Sequence, residues 1–157
     1  MTVLTEPTKS LREVSREVTK EELGTRAFQA FLDDLAETME KTHGVGIAAP
    51  QVGKNVRAIA MQITSKTEWY INPKIVKKSE TEVESEEGCL SVPGKFGIVK
   101  RHKRVCVEAL NRHGRRVTLD LNRLPSIVAQ HEIDHLDGIL FIDKVIRFTV
   151  DNGKTQI

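Results

Sequence analysis

The chain of 157 residues carries 24 basic and 22 acidic side chains, for a formal net charge of +2, and 39% of its residues are hydrophobic. This length is typical of one domain that buries a core without disulfides. The balanced charge excludes a general attraction to DNA or to a membrane surface, and no stretch is long and apolar enough to cross a bilayer.

The cysteines and the N-terminus predict the compartment. Cys89 and Cys106 are the only cysteines, and they lie in unlike contexts, which favours two free thiols in a reducing compartment over a disulfide. Cys106, inside the strand-like VCVEAL, is expected to be a small buried residue. The N-terminus lacks the apolar core of a signal peptide. We therefore expect a cytoplasmic protein, or an organellar one from which a transit peptide was removed.

The first predicted element is a helix. Residues 1–18 contain too few apolar side chains to predict an element, so we expect an irregular N-terminal segment. Thr19 and Glu22 then have the spacing of a capping box. Apolar residues recur after it at helical intervals, at Phe28, Phe31, Leu32, Leu35 and Met39. The pattern predicts one amphipathic helix that covers the core and ends near Gly44.

The segment GVGIAAPQVG, residues 44–53, is rich in small residues. Its G-x-G-x-x-A pattern resembles a dinucleotide-binding turn, but such a turn follows a strand and opens a helix, whereas this segment follows a helix and runs into Pro50. The small residues instead indicate that a substrate or another element approaches the backbone closely. Gln51 is equally consistent with a surface turn and with a hydrogen-bond donor to a developing oxyanion.

Runs of β-branched and aromatic residues predict a series of short strands. They cover residues 56–63, 69–72, 75–78, 81–84, 98–101, 105–110 and 117–121, the last two joined as a hairpin. The acidic run at residues 80–87 is expected to be a solvated strand face, with Glu87 set apart because it adjoins Cys89. The basic cluster KRHKR, residues 100–104, is expected to be a solvated sheet edge rather than an RNA contact.

The stretch QHEIDHLDG, residues 130–138, contains the pattern H-E-x-x-H. In a helix, a spacing of four residues puts His131 and His135 on one face, one turn apart, where both imidazoles can bind one metal ion. The carboxylate of Glu132 can then reach a water on that ion as a proton acceptor. Asn122 as an N-cap and the apolar periodicity that follows it support the helix.

A catalytic metal site of this kind needs a third protein ligand. The H-E-x-x-H-x-x-G-x-x-H arrangement is excluded because Phe141 holds the position of its last histidine, although Gly138, the predicted helix stop, is in place. No glutamate follows Glu132 in the chain. Asp143 is a formal ligand, and the thiolate of Cys89 in EEGCLSVPG is the better one, which would leave the fourth position for water.

The order of these elements predicts the fold class. After the histidine helix, residues 139–146 are expected to form a last strand, followed by a short polar tail over residues 147–157. Several strands with one helix before them and the histidine helix among them imply an α+β fold in a single catalytic domain, residues 1–157. Small antiparallel or mixed sheets are expected around a central metal-binding HExxH helix. A doubly wound fold is disfavoured.

Three separated segments, GVGIAAPQ, EGCLS and QHEIDHLDG, resemble the three signature motifs of the peptide deformylases in order and separation. The resemblance covers about residues 23–146, and three motifs are far more specific than H-E-x-x-H alone. It implies an enzyme that hydrolyses the N-formyl group from nascent polypeptides beginning with formylmethionine and releases formate. The nucleophile would be a metal-bound hydroxide, with Glu132 as the general base.

Carried over position by position, the resemblance implies the roles of further residues. The implied metal ligands are Cys89, His131 and His135. The implied oxyanion donors are Gln51 and the backbone N–H of Leu90. The implied pocket for the methionine side chain contains Val45, Gly46, Leu124, Ile127 and Val128. An ion pair of Glu87 with Arg101 would orient the cysteine segment.

The resemblance also implies a cofactor and partners. One divalent ion is expected, Fe²⁺ in cells, with Zn²⁺, Ni²⁺ or Co²⁺ able to replace it, since a thiolate and two imidazoles suit all four. Formyl-Met peptides are the expected substrates, the ribosome a transient partner, and a monomer the expected state.

Two departures from the family pattern concern the substrate and the ribosome. Phe96 replaces an arginine often found near the substrate peptide, and residues 147–157 do not have the long C-terminal helix of many bacterial members. Three alternative functions stay open: a metallopeptidase of other specificity, an inactive metal-binding or ribosome-associated paralogue, and a cysteine hydrolase with Cys89 as nucleophile and His131 as its base.

Overall fold

The computed structural model describes residues 1–152, which form two antiparallel sheets with two long helices. The strands are β1 (Gly46–Ala48), β2 (Ala58–Gln62), β3 (Thr67–Lys78), β4 (Glu82–Cys89), β5 (Val92–His102), β6 (Arg104–Leu110), β7 (Arg116–Asn122) and β8 (Val145–Asp151). The α-helices are α1 (Lys20–Leu23), α2 (Arg26–Lys41) and α3 (Leu124–Leu136), and 3₁₀ turns cover Lys9–Arg12, Ala49–Val52 and Phe141–Asp143. The α+β class is confirmed.

The larger sheet has the strand order β1-β2-β3-β6-β7 and is covered by a helix on each face. Ala58 and Ala60 of β2 belong to the clusters that contain α2 residues, whereas Ile59 and Met61 belong to the cluster that contains α3 residues. Alternate residues of a strand point to opposite faces, so a strand buried on both sides is apolar throughout. This explains the continuous apolar run of β2. The predicted β6–β7 hairpin is confirmed.

The smaller sheet has the order β4-β5-β8, and two predictions about it were wrong. The last strand is Val145–Asp151 rather than residues 139–146, because Leu140 and Phe141 are buried in a core cluster as part of a 3₁₀ turn. Part of the predicted polar tail therefore pairs with β5. The rest of that tail, residues 153–157, lies outside the described residues.

The basic cluster at residues 100–104 is largely solvated, as predicted, but it does not lie at a sheet edge. Most of it lies in β5, the central strand of the smaller sheet, and Arg104 begins β6, an interior strand of the larger one. Arg101 is 2% exposed, because two carboxylates neutralise its guanidinium. Cys106 is half-buried rather than buried.

The single N-terminal helix of the prediction is two helices. The Thr19 hydroxyl caps α1 by accepting from the N–H of Glu22, as the capping box predicted. Thr25 caps α2 in the same way, by accepting from the N–H of Phe28. A threonine hydroxyl that satisfies a free N–H starts a new helix, and the break falls at Gly24, a poor helix former. The second helix ends at Lys41, before the predicted stop at Gly44.

Helix α3 contacts β1, β2 and β7 of the larger sheet and β5 of the smaller one, so it lies where the two sheets meet. Its N-cap is Arg123 rather than Asn122, since Asn122 is the last residue of β7. Gly138, at φ 72°, follows the end of the helix as predicted. Among the described residues, none of the helices combines the length and apolar character that a membrane span requires.

The N-terminal segment, residues 1–18, packs along the end of α3. Leu11 and Val18 are buried, and the N–H of Ser15 donates to the carbonyl of Leu136. A Cβ atom on Gly138 would lie 2.4 Å from the carbonyl oxygen of Arg12. The helix end and this segment therefore fit together only with glycine at position 138.

Replacing Gly138 with alanine is expected to lower the free energy of unfolding by roughly 2 kcal/mol or more, since the variant combines a strained positive φ with a backbone collision. Urea denaturation measures the loss. The control is Gly24→Ala, because Gly24 has φ −75° and its nearest neighbours would lie 3.5 Å from the new Cβ. Equal effects of the two substitutions would contradict this account of the helix end.

Candidate metal centre and active-site cleft

Three residues that the sequence singled out as metal ligands come together. Helix α3 presents His131 and His135, and β4 ends at Cys89 opposite them. The ligand atoms of the three residues all lie within 4.8 Å of one another. The Cys89 Sγ atom is 3.2 Å from Nε2 of His135. Asp143, the other formal ligand, instead forms an ion pair with Arg12.

The donor set fits a divalent metal ion. In a tetrahedral site with metal–sulfur bonds of about 2.3 Å and metal–nitrogen bonds of about 2.1 Å, the ligand atoms lie roughly 3.5 Å apart, and the three atoms need only small shifts to reach that spacing. Nδ1 of His131 lies 2.9 Å from Glu87 Oε2, which leaves Nε2 for the metal. Histidine ligands of metals commonly donate their other N–H to a carboxylate in this way.

The carboxylate of Glu132 is 5% exposed and lies beside this ligand group. Its Oε2 atom is buried without a hydrogen-bond partner among the described residues, so it is available to a water or a substrate. Burial disfavours the charged form and raises the pKa of Glu132 to about 7. A carboxyl group with this pKa can both accept and return a proton near neutral pH.

The two histidines have different protonation tendencies. Burial lowers the pKa of His131, but hydrogen bonds to Cys89 and Glu87 outweigh burial and raise it to about 10. Burial and the neighbouring charge of His131 hold the pKa of His135 well below its usual value. A metal ligand must be a neutral imidazole, so a metal ion has to displace a proton from His131 when it binds.

A buried ion-pair network contacts His131 at Nδ1, the ring nitrogen that would not bind the metal. Arg101 donates to both Glu87 oxygens, over 2.8 and 3.0 Å, and also bonds to Asp134. Burial raises the pKa of Glu87, but Arg101 and His131 outweigh it and lower the pKa to about 2. Glu87 therefore stays ionised and can orient His131. The sequence predicted the Glu87–Arg101 pair but missed Asp134, whose position three residues after His131 was the available signal.

The glycine-rich segment lies against α3. A Cβ atom on Gly46 would lie 2.5 Å from Glu132 Oε1 and 2.8 Å from a methyl group of Val128. The close backbone approach predicted for this segment is therefore an approach to the histidine helix. A side chain at position 46 would displace the carboxylate of Glu132.

Gln51 is 2% exposed, which excludes the surface-turn alternative. Its Oε1 atom accepts from the N–H of Ala48 over 2.9 Å. Its Nε2 atom lies 3.2 Å from the Ser91 hydroxyl and 3.5 Å from Cys89 Sγ. The amide group is thus held with its N–H groups on the side of the ligand group. Ser91 was not predicted as a site residue, although it ends the motif EGCLS.

A cleft of about 560 Å³ opens onto these residues. The predicted pocket residues all line it, together with Leu90 and the reactive groups; they are Val45, Gly46, Leu124, Ile127 and Val128. Phe96 also lines the cleft, 44% exposed, with its ring packed over Gly88. Phe96 therefore makes one wall of the cleft apolar.

Two histidines from one helix and a cysteine from a strand end, with a buried carboxylate next to them, are an arrangement typical of enzymes that hydrolyse amide bonds with a metal ion. The apolar cleft beside them is large enough for part of a peptide. Fold and site together place this protein in the class of metal-dependent hydrolases.

Comparisons with known proteins identify the family. The family model described as polypeptide deformylase matches residues 1–150. A peptide deformylase of Acetivibrio thermocellus is 48% identical over 138 residues, which are 88% of this chain and 79% of that protein. The chain belongs to the polypeptide deformylase family, as its three motifs predicted.

Solved structures agree. A Met-Ala-Ser-bound class I type b peptide deformylase from Acinetobacter baumannii superposes with a TM-score of 0.88 at 32% identity, over 92% of this chain and 98% of that one. A probable peptide deformylase from Synechococcus phage S-SSM7 gives a TM-score of 0.86 at 39% identity, over 92% and 99% of the two chains.

Proposed function

We propose that this protein removes the N-formyl group from the N-terminal formylmethionine of nascent polypeptides and releases formate. The observation that carries the proposal is the convergence of Cys89, His131 and His135, with ligand atoms within 4.8 Å of one another, beside the buried carboxylate of Glu132. Membership of the deformylase family supports the same reaction.

The Cys-His-His set would hold one divalent ion, and we propose Fe²⁺ in cells, with Zn²⁺, Ni²⁺ or Co²⁺ as replacements. One thiolate and two imidazoles are compatible with each of these ions. When bound, the ion would act as a Lewis acid that lowers the pKa of a coordinated water to about 7.

The residues around the ligand group transfer the proton, stabilise the oxyanion and orient a ligand. The Glu132 carboxylate takes a proton from the attacking water and delivers it to the leaving amine, for which a pKa of about 7 is suitable. Gln51 Nε2 and the backbone N–H of Leu90 donate to the formyl oxygen as it gains negative charge. Glu87 and Arg101 hold His131 in its orientation through the ion-pair network.

The cleft would bind the methionine side chain. Its apolar lining by Val45, Ile127 and Val128 suits an unbranched thioether, and Gly46 lines it without a side chain. The related Acinetobacter structure contains Met-Ala-Ser, a peptide that begins with methionine. Leu124, 60% exposed, and Phe96 lie at the cleft surface, where residues after the methionine would pass.

The other expectations are retained as proposals. One catalytic domain is supported by the family match to residues 1–150. A cytoplasmic location is proposed, and the two free thiols are consistent with a reducing compartment. The monomeric state and a transient contact with the ribosome stay predictions from the family resemblance.

Replacing Gln51 with alanine is expected to lower kcat by about 10²–10³, the usual cost of losing one oxyanion donor. Steady-state hydrolysis of a formyl-Met peptide measures the effect, and KM should change little because the donor acts mainly in the transition state. Gln62→Ala is the control, since Gln62 is an exposed glutamine at the end of β2. A Gln51→Ala variant with the kcat of the wild type would exclude the oxyanion role.

The experiment that tests the function uses enzyme prepared without oxygen and compares three substrates. They are formyl-Met-Ala-Ser, the N-acetylated form of the same peptide, and a form blocked at both ends in which only internal peptide bonds can be cut. We expect formate from the first peptide and no cleavage of the others, with activity lost to a chelator and restored by added metal. Cleavage of internal bonds would favour a peptidase. Stoichiometric metal without hydrolysis would favour an inactive paralogue. Activity that resists the chelator would favour a cysteine nucleophile.

A further inference from the structure

The side-chain amide of Gln51 has two N–H groups, and only one can donate to a substrate oxygen if the amide is to keep a fixed orientation. An amide held at its carbonyl alone can still rotate about its last side-chain torsion, which is a broad one. A second contact at the nitrogen is needed to fix its plane. That contact comes from Ser91, in the turn between β4 and β5.

Ser91 is 0% exposed, and its hydroxyl oxygen accepts from Gln51 Nε2 over 3.2 Å. The other anchor is Gln51 Oε1, which accepts from the N–H of Ala48. With the carbonyl on Ala48 and one N–H on Ser91, the second N–H is left on the side of Cys89, whose sulfur lies 3.5 Å from Nε2. This is the N–H that reaches the ligand group.

The backbones of both residues are fixed by the same N-terminal segment. The N–H of Leu4 donates to the carbonyl of Gln51 over 2.7 Å, and the N–H of Glu6 donates to the carbonyl of Ser91 over 2.8 Å. Because one segment holds both backbones, it also fixes the distance between the Gln51 amide and the Ser91 hydroxyl. Residues 4–6 act as a clamp across two loops that are 40 residues apart in the sequence.

We propose that Ser91 is a positioning residue that holds the Gln51 amide with its free N–H directed toward the oxyanion. The inference rests on the oxyanion role given to Gln51 under the proposed function. Ser91 is not among the residues that line the cleft, and it acts through Gln51.

A double-mutant cycle tests the proposal. Wild type, Ser91→Ala, Gln51→Ala and the double variant are compared for kcat and KM on formyl-Met-Ala-Ser. We expect Ser91→Ala to lower kcat by roughly tenfold with little change in KM, because a donor that is misplaced costs less than one that is removed. In the Gln51→Ala background the same substitution should change kcat by less than about twofold, since the partner is gone.

Ser126 provides a matched control. It is also 0% exposed, and its hydroxyl also accepts from a glutamine, Gln130 Nε2, over 3.1 Å. Ser126→Ala removes a comparable buried hydrogen bond that does not involve Gln51 and should leave kcat within about twofold of the wild type. A similar kcat loss in Ser91→Ala and Ser126→Ala would assign the effect to general destabilisation and overturn the proposal. So would an equal loss from Ser91→Ala in both backgrounds.

A second measurement does not depend on turnover. The Gln51 side-chain amide protons, identified by their loss in Gln51→Ala, are expected to exchange slowly with water in the wild type and faster in Ser91→Ala, with the Gln130 pair unchanged. Unchanged exchange in Ser91→Ala would overturn the proposal. If the wild type hydrolyses no formyl peptide, the proposed function fails, and the exchange measurement still decides whether Ser91 holds the amide.

Discussion

Replacing Glu132 with glutamine is expected to lower kcat by about 10²–10⁴, because the site loses the group that takes and returns the proton. Glutamine keeps the size of the side chain, so metal content and fold should be retained. Hydrolysis of a formyl-Met peptide, with elemental analysis of each preparation, measures the result. Glu108→Gln, at an exposed position of β6, is the control. Turnover at the wild-type rate would exclude Glu132 as the base.

The same substitution, Glu132→Gln, is expected to lower activity but to raise the stability of the metal-free protein at high pH. Burial raises the pKa of Glu132 to about 7, above its usual value of 4.5. A carboxyl group with a raised pKa binds its proton more tightly in the folded state, so the folded state loses stability as the pH rises from 4.5 to 7. Metal-free Glu132→Gln should therefore be more stable than metal-free wild type at pH 8 and similar to it at pH 4. The charged form of the buried Glu132 carboxylate thus destabilises the folded protein.

Replacing Arg101 with methionine is expected to lower the free energy of unfolding by about 3–5 kcal/mol, the usual cost of removing one partner from a buried ion pair. Glu87 would remain inside the protein without its guanidinium partner, and Asp134 would keep only Lys144 as a cation. Urea denaturation of the metal-free protein measures the loss. Metal affinity should fall by roughly 10–100-fold as well, because Glu87 would no longer be fixed against His131.

The control for this prediction is Arg104→Met. Arg104 also binds a carboxylate, that of Asp120, but the two side chains are 62% and 57% exposed. Exposed ion pairs contribute about 0–1 kcal/mol, so this variant should stay close to the wild type in stability and in metal affinity. Equal losses for the two variants would mean that the arginines at positions 101 and 104 contribute through general charge effects rather than through the buried network.

The errors in the predicted fold have physical causes that a local pattern does not contain. Residues 147–151 were predicted to be part of a polar tail because the strand they belong to leaves most of its side chains exposed, and only its pairing with β5 makes it a strand. The KRHKR cluster was assigned to a sheet edge because the pairing of β5 and β6 with their neighbours, and of Arg101 with Glu87 and Asp134, is not visible locally. Both errors concern contacts between residues that are distant in sequence, whereas the histidine helix and the β6–β7 hairpin are local patterns and were predicted well.

The candidate site follows the same rule. His131, Glu132 and His135 could be grouped from helical spacing alone, and Cys89 by the chemistry of a third ligand. From the residues alone Gln51 could not be separated from a surface turn; the family resemblance implied the oxyanion role, and burial excludes the turn. Asp134 and Ser91 lie inside the motifs QHEIDHLDG and EGCLS, but they were missed because each acts on another side chain rather than on the ligand group.

The most direct test of the account is X-ray absorption on metal-loaded protein prepared without oxygen. We predict about one metal ion per chain, with one sulfur near 2.3 Å and two nitrogens near 2.1 Å, distances typical of thiolate and imidazole ligands. Cys89→Ala should lose the sulfur shell. A spectrum without sulfur in the wild-type protein, or a chain that retains no metal, would contradict the convergence of Cys89, His131 and His135 on a single ion.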